Sequence, residues 1–409
     1  MSGAKHETIG AWLDGQREAE TRFLAEIVKV PSDNPPGDCA PAAEKAAALL
    51  EGLGFTVERH KVPEALVREN GMISATNLVV RRRFGPGPVV ALNAHGDVVP
   101  PGEGWSVDPY SAVVRDGVMY GRGVAVSKSD FSTYAFAVKA LEAAGQAHGT
   151  VELHLTYDEE AGGAIGPAWL LAEKISKPDY AIAAGFSYAI TTAHNGCLHL
   201  EVAVRGKSAH AAEPQRGHDA LEAATRILNA LYALRPVLAR TVSKTPGIGA
   251  PNLTVGLIKG GINTNVVPDL VTFRVDRRIV PEESPAEVEA ALRRCIEEAA
   301  QGLAGIRVEV RRILLAAPLV PRAGSEKLVA AIARRAREVM GVEVEATGVP
   351  LYTDARHYSA AGIPTVLYGA GPRTLAESNG HRADERLVLD DLFKATKVVA
   401  LALADLLEG

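Results

Sequence analysis

Segments with strand patterns and segments with helix patterns alternate along the first half of the chain. Apolar runs predict strands over residues 55–62, 73–83, 88–95, 150–157 and 179–184. Helical periodicity predicts helices over 11–29, 40–53, 129–144 and 165–174. Strands that alternate with helices favour a mostly parallel sheet that is covered on both faces. The sequence therefore predicts an α/β fold for this part of the chain.

The pattern changes near Gly196. Leu198 to Val204 alternates with a period of two, which is typical of an antiparallel strand with one face in water. Further strands are predicted over 252–259, 265–279 and 306–316, and helices over 219–234 and 285–302. Helix 325–340, strand 363–368 and helix 388–407 then return to the first pattern. We predict a discontinuous α/β domain, residues 1–196 and 313–409, with an inserted α+β domain, residues 197–312.

The composition excludes several classes of protein. The 409 residues carry a net charge of −5, and we find no basic stripe, so nucleic acid is not an expected partner. Three cysteines that lie far apart offer no disulfide framework. The polar N-terminus has no signal-peptide core, and the longest uncharged run, 180–195, is too short to span a bilayer. We therefore expect a cytoplasmic protein without a membrane partner.

His95 and Asp97 follow the apolar run that begins at Val89. The carboxyl ends of strands in open α/β sheets are where ligands bind. An imidazole followed two residues later by a carboxylate suits a metal-binding histidine whose second ring nitrogen is held by an acid. The alternative is an ordinary histidine in a turn after a strand.

Asp158, Glu159 and Glu160 stand where another strand ends in a glycine-containing turn. Adjacent carboxylates on extended backbone point in opposite directions, so one could bind metal while the other accepts a proton from water. An acidic, solvated turn is the alternative. Two further histidines, His210 and His381, lie in polar turns, and each alone is equally readable as a surface residue.

Eight segments in order resemble the M20 metallopeptidase/amidohydrolase family, which includes acetylornithine deacetylase, succinyl-diaminopimelate desuccinylase, aminoacylase and glutamate carboxypeptidase. They are NAHGDVVP, MYGRGVAVSK, LTYDEEAGG, VRGKSAHAAEPQRGHDA, GGINTNVVPD, DRRIVPEE, YTDARHYSAAGIPTV and NGHRADE. The resemblance covers nearly the whole chain. It implies a two-metal hydrolase of amide bonds, with residues 1–196 and 313–409 as the catalytic domain and 197–312 as a lid that also forms a homodimer.

The resemblance also implies roles for the acidic residues and two of the histidines. His95 and His381 would each bind one zinc ion, and Asp97 would orient His95. Glu160 would bind the metal held by His381. Glu159 would be the general base that deprotonates the attacking water and passes the proton to the leaving amine.

Three residues would contact the substrate if the resemblance holds. His210, which in relatives reaches the site from the lid of the other subunit, would stabilise the tetrahedral oxyanion. Asn265 and Arg356 resemble positions that hold a carboxylate or carbonyl of the substrate. Because an arginine fork suits a carboxylate, the expected substrate is a small N-acyl amino acid or dipeptide-like molecule with a carboxylate.

Two positions depart from the family pattern. Val126 stands where the family has an aspartate that bridges both metals. The segment around Phe186 replaces one with a further acidic ligand, and there is no acid between Asp179 and Glu201. Catalytic zinc generally has three protein ligands and a water. The sequence therefore predicts an atypical metal site. We expect the divalent metal to be zinc, and either a single ion is bound or the metal is held weakly.

Three explanations for the departures remain open. Asp130 could supply the lost carboxylate, although it is equally readable as a favourable charge at a helix N-terminus. The chemistry could be metal-free, with Ser187 or Ser127 as nucleophile and Lys128 or His194 as base. The protein could also be a catalytically inactive binding protein. Our prediction is an amidohydrolase that uses metal-activated water.

Overall fold

The computed structural model describes residues 2–408, which form two compact units. The first unit comprises Met1–Thr192, Pro321–Thr347 and Thr353–Gly409. The second comprises Ala193–Val320 and Gly348–Tyr352. The domain boundaries that we predict at residues 197 and 312 remain a prediction.

Twelve α-helices are formed by the described residues. They are α1 (Ser2–Asp14), α2 (Arg17–Val28), α3 (Ala40–Gly52), α4 (Glu64–Glu69), α5 (Lys128–Ala143), α6 (Pro167–Ala172), α7 (Ala220–Leu238), α8 (Pro285–Ala300), α9 (Ser325–Met340), α10 (Ala355–Ala360), α11 (Leu375–Ser378) and α12 (Leu389–Glu408). Among residues 2–408, no helix has the length and apolar content that crossing a membrane requires.

The same residues form fifteen strands. They are β1 (Val57–Lys61), β2 (Thr76–Arg83), β3 (Val89–His95), β4 (Val113–Arg115), β5 (Val118–Tyr120), β6 (Thr150–Thr156), β7 (Tyr180–Ala183), β8 (Ile190–His194), β9 (Gly196–Arg205), β10 (Asn252–Gly260), β11 (Leu270–Ile279), β12 (Arg307–Ala316), β13 (Ala346–Val349), β14 (Thr365–Leu367) and β15 (Arg386–Val388).

The main sheet has the strand order β1-β2-β6-β3-β7-β14-β8-β13. Its central strands β6, β3, β7 and β14 are parallel, whereas β1 and β2 join antiparallel at one edge. Leu92 of β3 packs in the large core that includes α5 and α12, while its neighbour Ala91 packs in a separate cluster with Tyr358 of α10. Both faces of the sheet are therefore covered, which confirms the predicted α/β class.

Parallel pairing brings two functional segments to one edge of this sheet. His95 is the last residue of β3 and pairs with Thr156, the last residue of β6. The turn that carries Glu159 and Glu160 begins directly after β6. The carboxyl ends of adjacent parallel strands meet at one edge, which is where this fold class places its ligand sites.

The second unit is an antiparallel sheet with two helices, α7 and α8. Its strand order is β10-β11-β9-β12. Leu198 and Leu200 of β9 are buried in a core that includes apolar residues of both helices, whereas His199 and Glu201 between and beyond them are partly exposed. The predicted alternation along β9, with one wet face, is confirmed.

One predicted element is wrong. A single helix was expected over 11–29, but the structure has α1 and α2, separated by a turn at Gly15 and Gln16. The amide of Gly15 donates to the carbonyl of Trp12, a closer partner than that of Ala11, and this tightening ends the first helix.

Candidate active site

Asp97 connects the end of β3 to the turn after β6. Its buried carboxylate accepts hydrogen bonds from the backbone amides of Glu159, at 3.2 Å, and Glu160, at 3.1 Å. The side-chain amide of Asn34 donates a third bond at 3.0 Å. Three donors fix this carboxylate, and the carboxylate holds the turn that carries the two glutamates.

His95 is oriented by the same aspartate. Its Nδ1 lies 3.0 Å from the carbonyl oxygen of Asp97 and 3.4 Å from the carboxylate oxygen Oδ1. The other ring nitrogen, Nε2, lies 3.9 Å from Oε2 of Glu159. An imidazole held at one nitrogen presents the other as a metal ligand or hydrogen-bond partner.

Glu159 and Glu160 both reach this place. They lie in a one-turn 3₁₀ helix, Glu159–Ala161, so the expectation that extended backbone would point them in opposite directions is wrong. One ligand atom from each glutamate and one from His95 lie within 4.8 Å of one another. We refer to His95, Glu159 and Glu160 as the carboxylate–histidine cluster.

His381 lies beside this cluster on a turn after α11. Its Nε2 is 3.2 Å from Oε1 of Glu160, and its side chain is 50% exposed. The hydrogen bond with Glu160 raises the pKa of His381, an effect that partial burial opposes. The resemblance to the M20 family implied that these two residues share a site, and the structure brings them together.

Burial and neighbouring charges shift the pKa values of the ionisable groups in the cluster. Burial raises the pKa of Glu159 to about 7, an effect that the positive charge of His95 opposes and the charges of Glu160 and Asp97 increase. Burial alone would lower the pKa of His95, but Asp97 and Glu159 raise it well above its usual range. A carboxyl group with a pKa near neutrality suits proton transfer.

Asp130 lies at the start of α5 and is not part of the carboxylate–histidine cluster. Its Oδ1 accepts a hydrogen bond from the amide of Ala370 at 2.6 Å. Its Oδ2 is buried and has no hydrogen-bond partner among the described residues. Burial raises the pKa of Asp130 to about 7, which the amides of Ala370 and Gly185 oppose.

The loop at Val126 is held by a residue that sequence reasoning missed. Oε1 of the buried Glu385 accepts hydrogen bonds from the amides of Gly123, Ala125 and Val126, at 3.2, 3.1 and 3.2 Å. The other oxygen of Glu385 pairs with Arg122 at 2.6 Å. Glu385 is the last residue of the segment NGHRADE, which resembles the family, and that position was the signal by which the sequence could have identified it. Glu385 fixes the loop, but the valine side chain at its tip cannot bind a cation.

The candidate serine nucleophiles are directed at backbone carbonyls. Oγ of Ser187 donates to the carbonyl of Gly371 at 2.8 Å. Oγ of Ser127 donates to the carbonyl of His95 at 3.1 Å. Nζ of Lys128 donates to the carbonyl of Val30 at 3.1 Å. Because a nucleophilic hydroxyl has to donate to its base, this geometry does not favour the serine alternative.

Two further carboxylates are buried: Asp158, to which no role of its own was assigned from the sequence, and Asp354, which was not considered there. Each has one oxygen without a hydrogen-bond partner among the described residues. Burial and the charge of Asp97 raise the pKa of Asp158 to about 7, and burial and the charge of Glu159 raise that of Asp354 well above its usual range. The crowding of buried acidic groups around the cluster therefore favours the protonated forms of Asp158 and Asp354.

The predicted substrate-binding residues have different environments. Arg356 is buried, and its guanidinium donates to the carbonyls of Thr353, at 2.8 Å, and Gly162. His210 and Asn265 lie in the second unit, where the chain around them forms an isolated bridge between His210 and Val266. The amide of Ala211 donates to the carbonyl of Asn265 at 3.0 Å. His210 and Asn265 are thus neighbours on one pair of loops.

Comparison with known proteins gives the family. The model of peptidase family M20/M25/M40 matches residues 91–405. The chain belongs to the M20 peptidase family. It is 27% identical over 337 residues to a succinyl-diaminopimelate desuccinylase of Sulfurimonas denitrificans, covering 79% of this chain and 85% of the relative. It is 29% identical over 373 residues to an acetylornithine deacetylase of Myxococcus xanthus, covering 90% of this chain and 93% of the relative.

A solved M20 structure has the same fold. The Bacillus subtilis YXEP protein, described as a dinuclear metal-binding peptidase of the M20 family, superposes with a TM-score of 0.69 at 17% identity, covering 97% of this chain and 99% of that one. Membership of the family makes this M20 chain a hydrolase of amide or peptide C–N bonds. The M20 family depends on metal ions.

The residues of this M20 chain fit one divalent cation. Ligand atoms of His95 and Glu160 lie within 4.8 Å of each other, and Nε2 of His381 lies 3.2 Å from Oε1 of Glu160. A cation at this place would offset part of the cost of burying the carboxylates. Val126 and Phe186, at two positions where the resemblance led us to expect acids, offer no ligand atom for a cation.

Proposed function

We propose that the protein hydrolyses the amide bond of a small N-acyl amino acid or dipeptide-like substrate at an atypical, mononuclear metal site. The observation that carries this proposal is that the carboxyl group of Glu159 lies within 4.8 Å of the ligand atoms of His95 and Glu160. A carboxyl group at this place can accept a proton from water and return it to the leaving group.

Three residues are proposed to hold the cation. His95 and Glu160 belong to the cluster, and His381 lies 3.2 Å from Glu160 on an exposed turn. They supply the three protein ligands that a catalytic zinc site generally has. When bound, such a cation supplies Lewis acidity that polarises a carbonyl group and acidifies water.

Asp130 is proposed as an additional carboxylate for the same cation. Its Oδ2 is buried without a hydrogen-bond partner among the described residues, and buried polar atoms in native proteins are nearly always paired. The positive charge of His95 also acts on its pKa. Asp130 would thus replace the carboxylate that Val126 cannot provide.

The proton transfers fall to Glu159. It accepts a proton from the attacking water and donates it to the nitrogen of the leaving amine. Asp97 keeps His95 oriented and, through the amides of Glu159 and Glu160, holds the base in place. Asp97 is a positioning residue in this scheme, because it touches the base and the ligand rather than the substrate.

Substrate recognition is proposed for Arg356, Asn265 and His210. Arg356 carries a positive charge that suits a carboxylate, and the two relatives named above are called a desuccinylase and a deacetylase. His210, adjacent to Asn265 on its pair of loops, is proposed to donate to the oxyanion of the tetrahedral intermediate in the other subunit.

A homodimer is proposed because the second unit has an apolar edge. Strand β10 lies at one edge of its sheet, where Leu257 is 60% exposed and Ile258 54% exposed. Ile262, just after this strand, is 79% exposed. An exposed strand edge can pair with another chain, and exposed apolar patches mark interaction sites. Light scattering of the wild type and of Ile258→Glu should give a dimer and a monomer respectively. A cytoplasmic location stays a prediction.

The activity is tested with the apoprotein reloaded with zinc, cobalt or manganese. A panel of N-acetyl and N-succinyl amino acids and dipeptides is supplied, and release of the free amine is followed. Turnover that is abolished by a chelator and by Glu159→Gln supports the proposal. Absence of turnover with every metal and substrate would contradict it.

A binding protein without catalysis is the second candidate. The observation that favours it is Val126, which removes a ligand at the tip of a loop that Glu385 otherwise holds in place. This candidate predicts that a panel compound raises the melting temperature of the protein without being hydrolysed. Hydrolysis of that compound would exclude it.

A further inference from the structure

A second group of potential metal ligands lies in the inserted unit, on strands β9 and β11. Cys197 and His199 are two residues apart on β9, so they share one face of the sheet. Asp276 of β11 pairs directly opposite His199 in the antiparallel register. The strand geometry therefore brings a thiol, an imidazole and a carboxylate together. None of the three belongs to the carboxylate–histidine cluster.

The three ligand atoms converge on one point. Sγ of Cys197 is 3.1 Å from Nε2 of His199, and this nitrogen is 2.9 Å from Oδ2 of Asp276. The sulfur and the carboxylate oxygen are 3.7 Å apart. Usual zinc–ligand bond lengths in a tetrahedral site separate the ligand atoms by roughly 3.4–3.6 Å. The observed distances bracket that range, so small side-chain rotations produce the required spacing.

The same arrangement does not suit a cysteine–histidine–aspartate catalytic triad. In a triad, one ring nitrogen faces the nucleophile and the other faces the carboxylate. Here the thiol of Cys197 and the carboxylate of Asp276 both lie against Nε2 of His199. A shared nitrogen cannot accept a proton from one partner while it donates to the other. Three atoms around one point are what a chelated cation requires.

The surroundings of the group allow an ion to enter and support its ligands. Cys197 is buried, but the side chains of His199 and Asp276 are 33% and 27% exposed. The open side leaves room for a water as fourth ligand. The other carboxylate oxygen of Asp276, Oδ1, accepts a hydrogen bond from Nε of Arg278 at 3.0 Å. Hydrogen bonds of this kind commonly orient carboxylates that bind metals.

We propose that Cys197, His199 and Asp276 bind a divalent cation of the zinc class. One thiolate, one neutral imidazole and one carboxylate carry two negative charges, which balance such an ion. A sulfur and nitrogen donor set favours zinc or cobalt over magnesium or calcium. Binding displaces the thiol proton and cross-links β9 to β11, so the ion strengthens the sheet of the inserted unit.

Cobalt titration of the whole apoprotein tests this proposal separately from the proposed function. Cobalt bound to a thiolate gives a near-ultraviolet charge-transfer band, which the oxygen and nitrogen ligands of the carboxylate–histidine cluster cannot give. The wild type should develop this band. Cys197→Ser should lose it, while Cys295→Ser, a matched change on helix α8 of the same unit, should keep it.

Asp276→Asn gives a graded test that does not depend on the thiol. It keeps the size of the side chain and removes its charge, so the cobalt concentration at half-saturation of the band should rise at least about tenfold. No charge-transfer band in the wild type at millimolar cobalt would overturn the proposal. So would a band that persists in Cys197→Ser, or an Asp276→Asn variant with unchanged affinity.

Discussion

Nδ1 of His95 lies 3.0 Å from the carbonyl oxygen of Asp97, and this contact turns the other ring nitrogen toward Glu159. The carboxylate of Asp97 meanwhile accepts from the amides of both glutamates. One aspartate thus fixes a metal-ligand candidate from β3 and a proposed base from the turn after β6. The predictions below follow from this arrangement and from its surroundings.

Replacing the base should remove turnover and leave the fold intact. Glu159→Gln keeps the size of the side chain but cannot accept a proton, so kcat should fall by about 10²–10⁴-fold. The melting temperature should not fall. Glu173→Gln, a change at an exposed glutamate after α6, is the matched control and should keep full activity. A Glu159→Gln enzyme with unchanged kcat would rule out this residue as the base.

Replacing Asp97 should act on metal affinity more than on proton transfer. The carboxylate of Asp97 accepts hydrogen bonds from backbone amides, and Asp97→Asn would place a donor group against them. The turn with Glu159 and Glu160 therefore loses its support. We expect metal affinity to fall by about 10–100-fold, as measured by competition with a chelator. Activity should recover in part at high metal concentration, and a lack of any such recovery would argue against a positioning role.

The serine alternative makes the opposite prediction. Because Oγ of Ser187 donates to a backbone carbonyl, Ser187→Ala should keep turnover within about threefold of the wild type, and chelation should still abolish it. Ser127→Ala should behave in the same way unless loss of its bonds with His95 disturbs the cluster. Complete loss of activity in Ser187→Ala, together with resistance to chelators, would favour serine chemistry.

Stability should fall with rising pH because of a buried glutamate far from the cluster in sequence. Burial raises the pKa of Glu20 to about 8 from 4.5, although a hydrogen bond from Thr396 opposes this. The folded state therefore holds a proton that the unfolded state releases. The contribution is complete below about pH 4.5 and is lost as the pH rises through 8.

Glu20→Gln isolates this effect, since glutamine stays neutral. Between pH 5 and pH 8 the free energy of unfolding of the wild type should fall by about 2–4 kcal/mol relative to that of the variant. Denaturant titrations at several pH values measure the difference. Parallel pH profiles for the two proteins would contradict the assignment of a neutral Glu20.

Much of the fold and part of the site could be predicted from the sequence. His95, Glu160 and His381 were recognised because ordered motifs place them at strand ends and in a turn. The period-two pattern of β9 was read correctly because burial on a sheet alternates residue by residue. These features depend on local pattern, which sequence displays directly.

Other features depend on long-range packing and could not be read from the sequence. Glu385 meets the loop of Val126 only because distant segments are folded together. Glu159 and Glu160 point to the same place because a 3₁₀ turn follows β6, where the sequence was read as extended. The cross-strand partner of His199 is set by the register of β11, which no single-sequence pattern reports.

Elemental analysis measures whether one cation occupies the carboxylate–histidine cluster. The Cys197→Ser background removes the second proposed site, so the remaining zinc belongs to the cluster. We predict about one zinc per chain in this background, lost in His95→Ala and reduced in Asp130→Ala. No zinc after loading would contradict a metal-dependent mechanism, and two zinc ions per chain would contradict the mononuclear site.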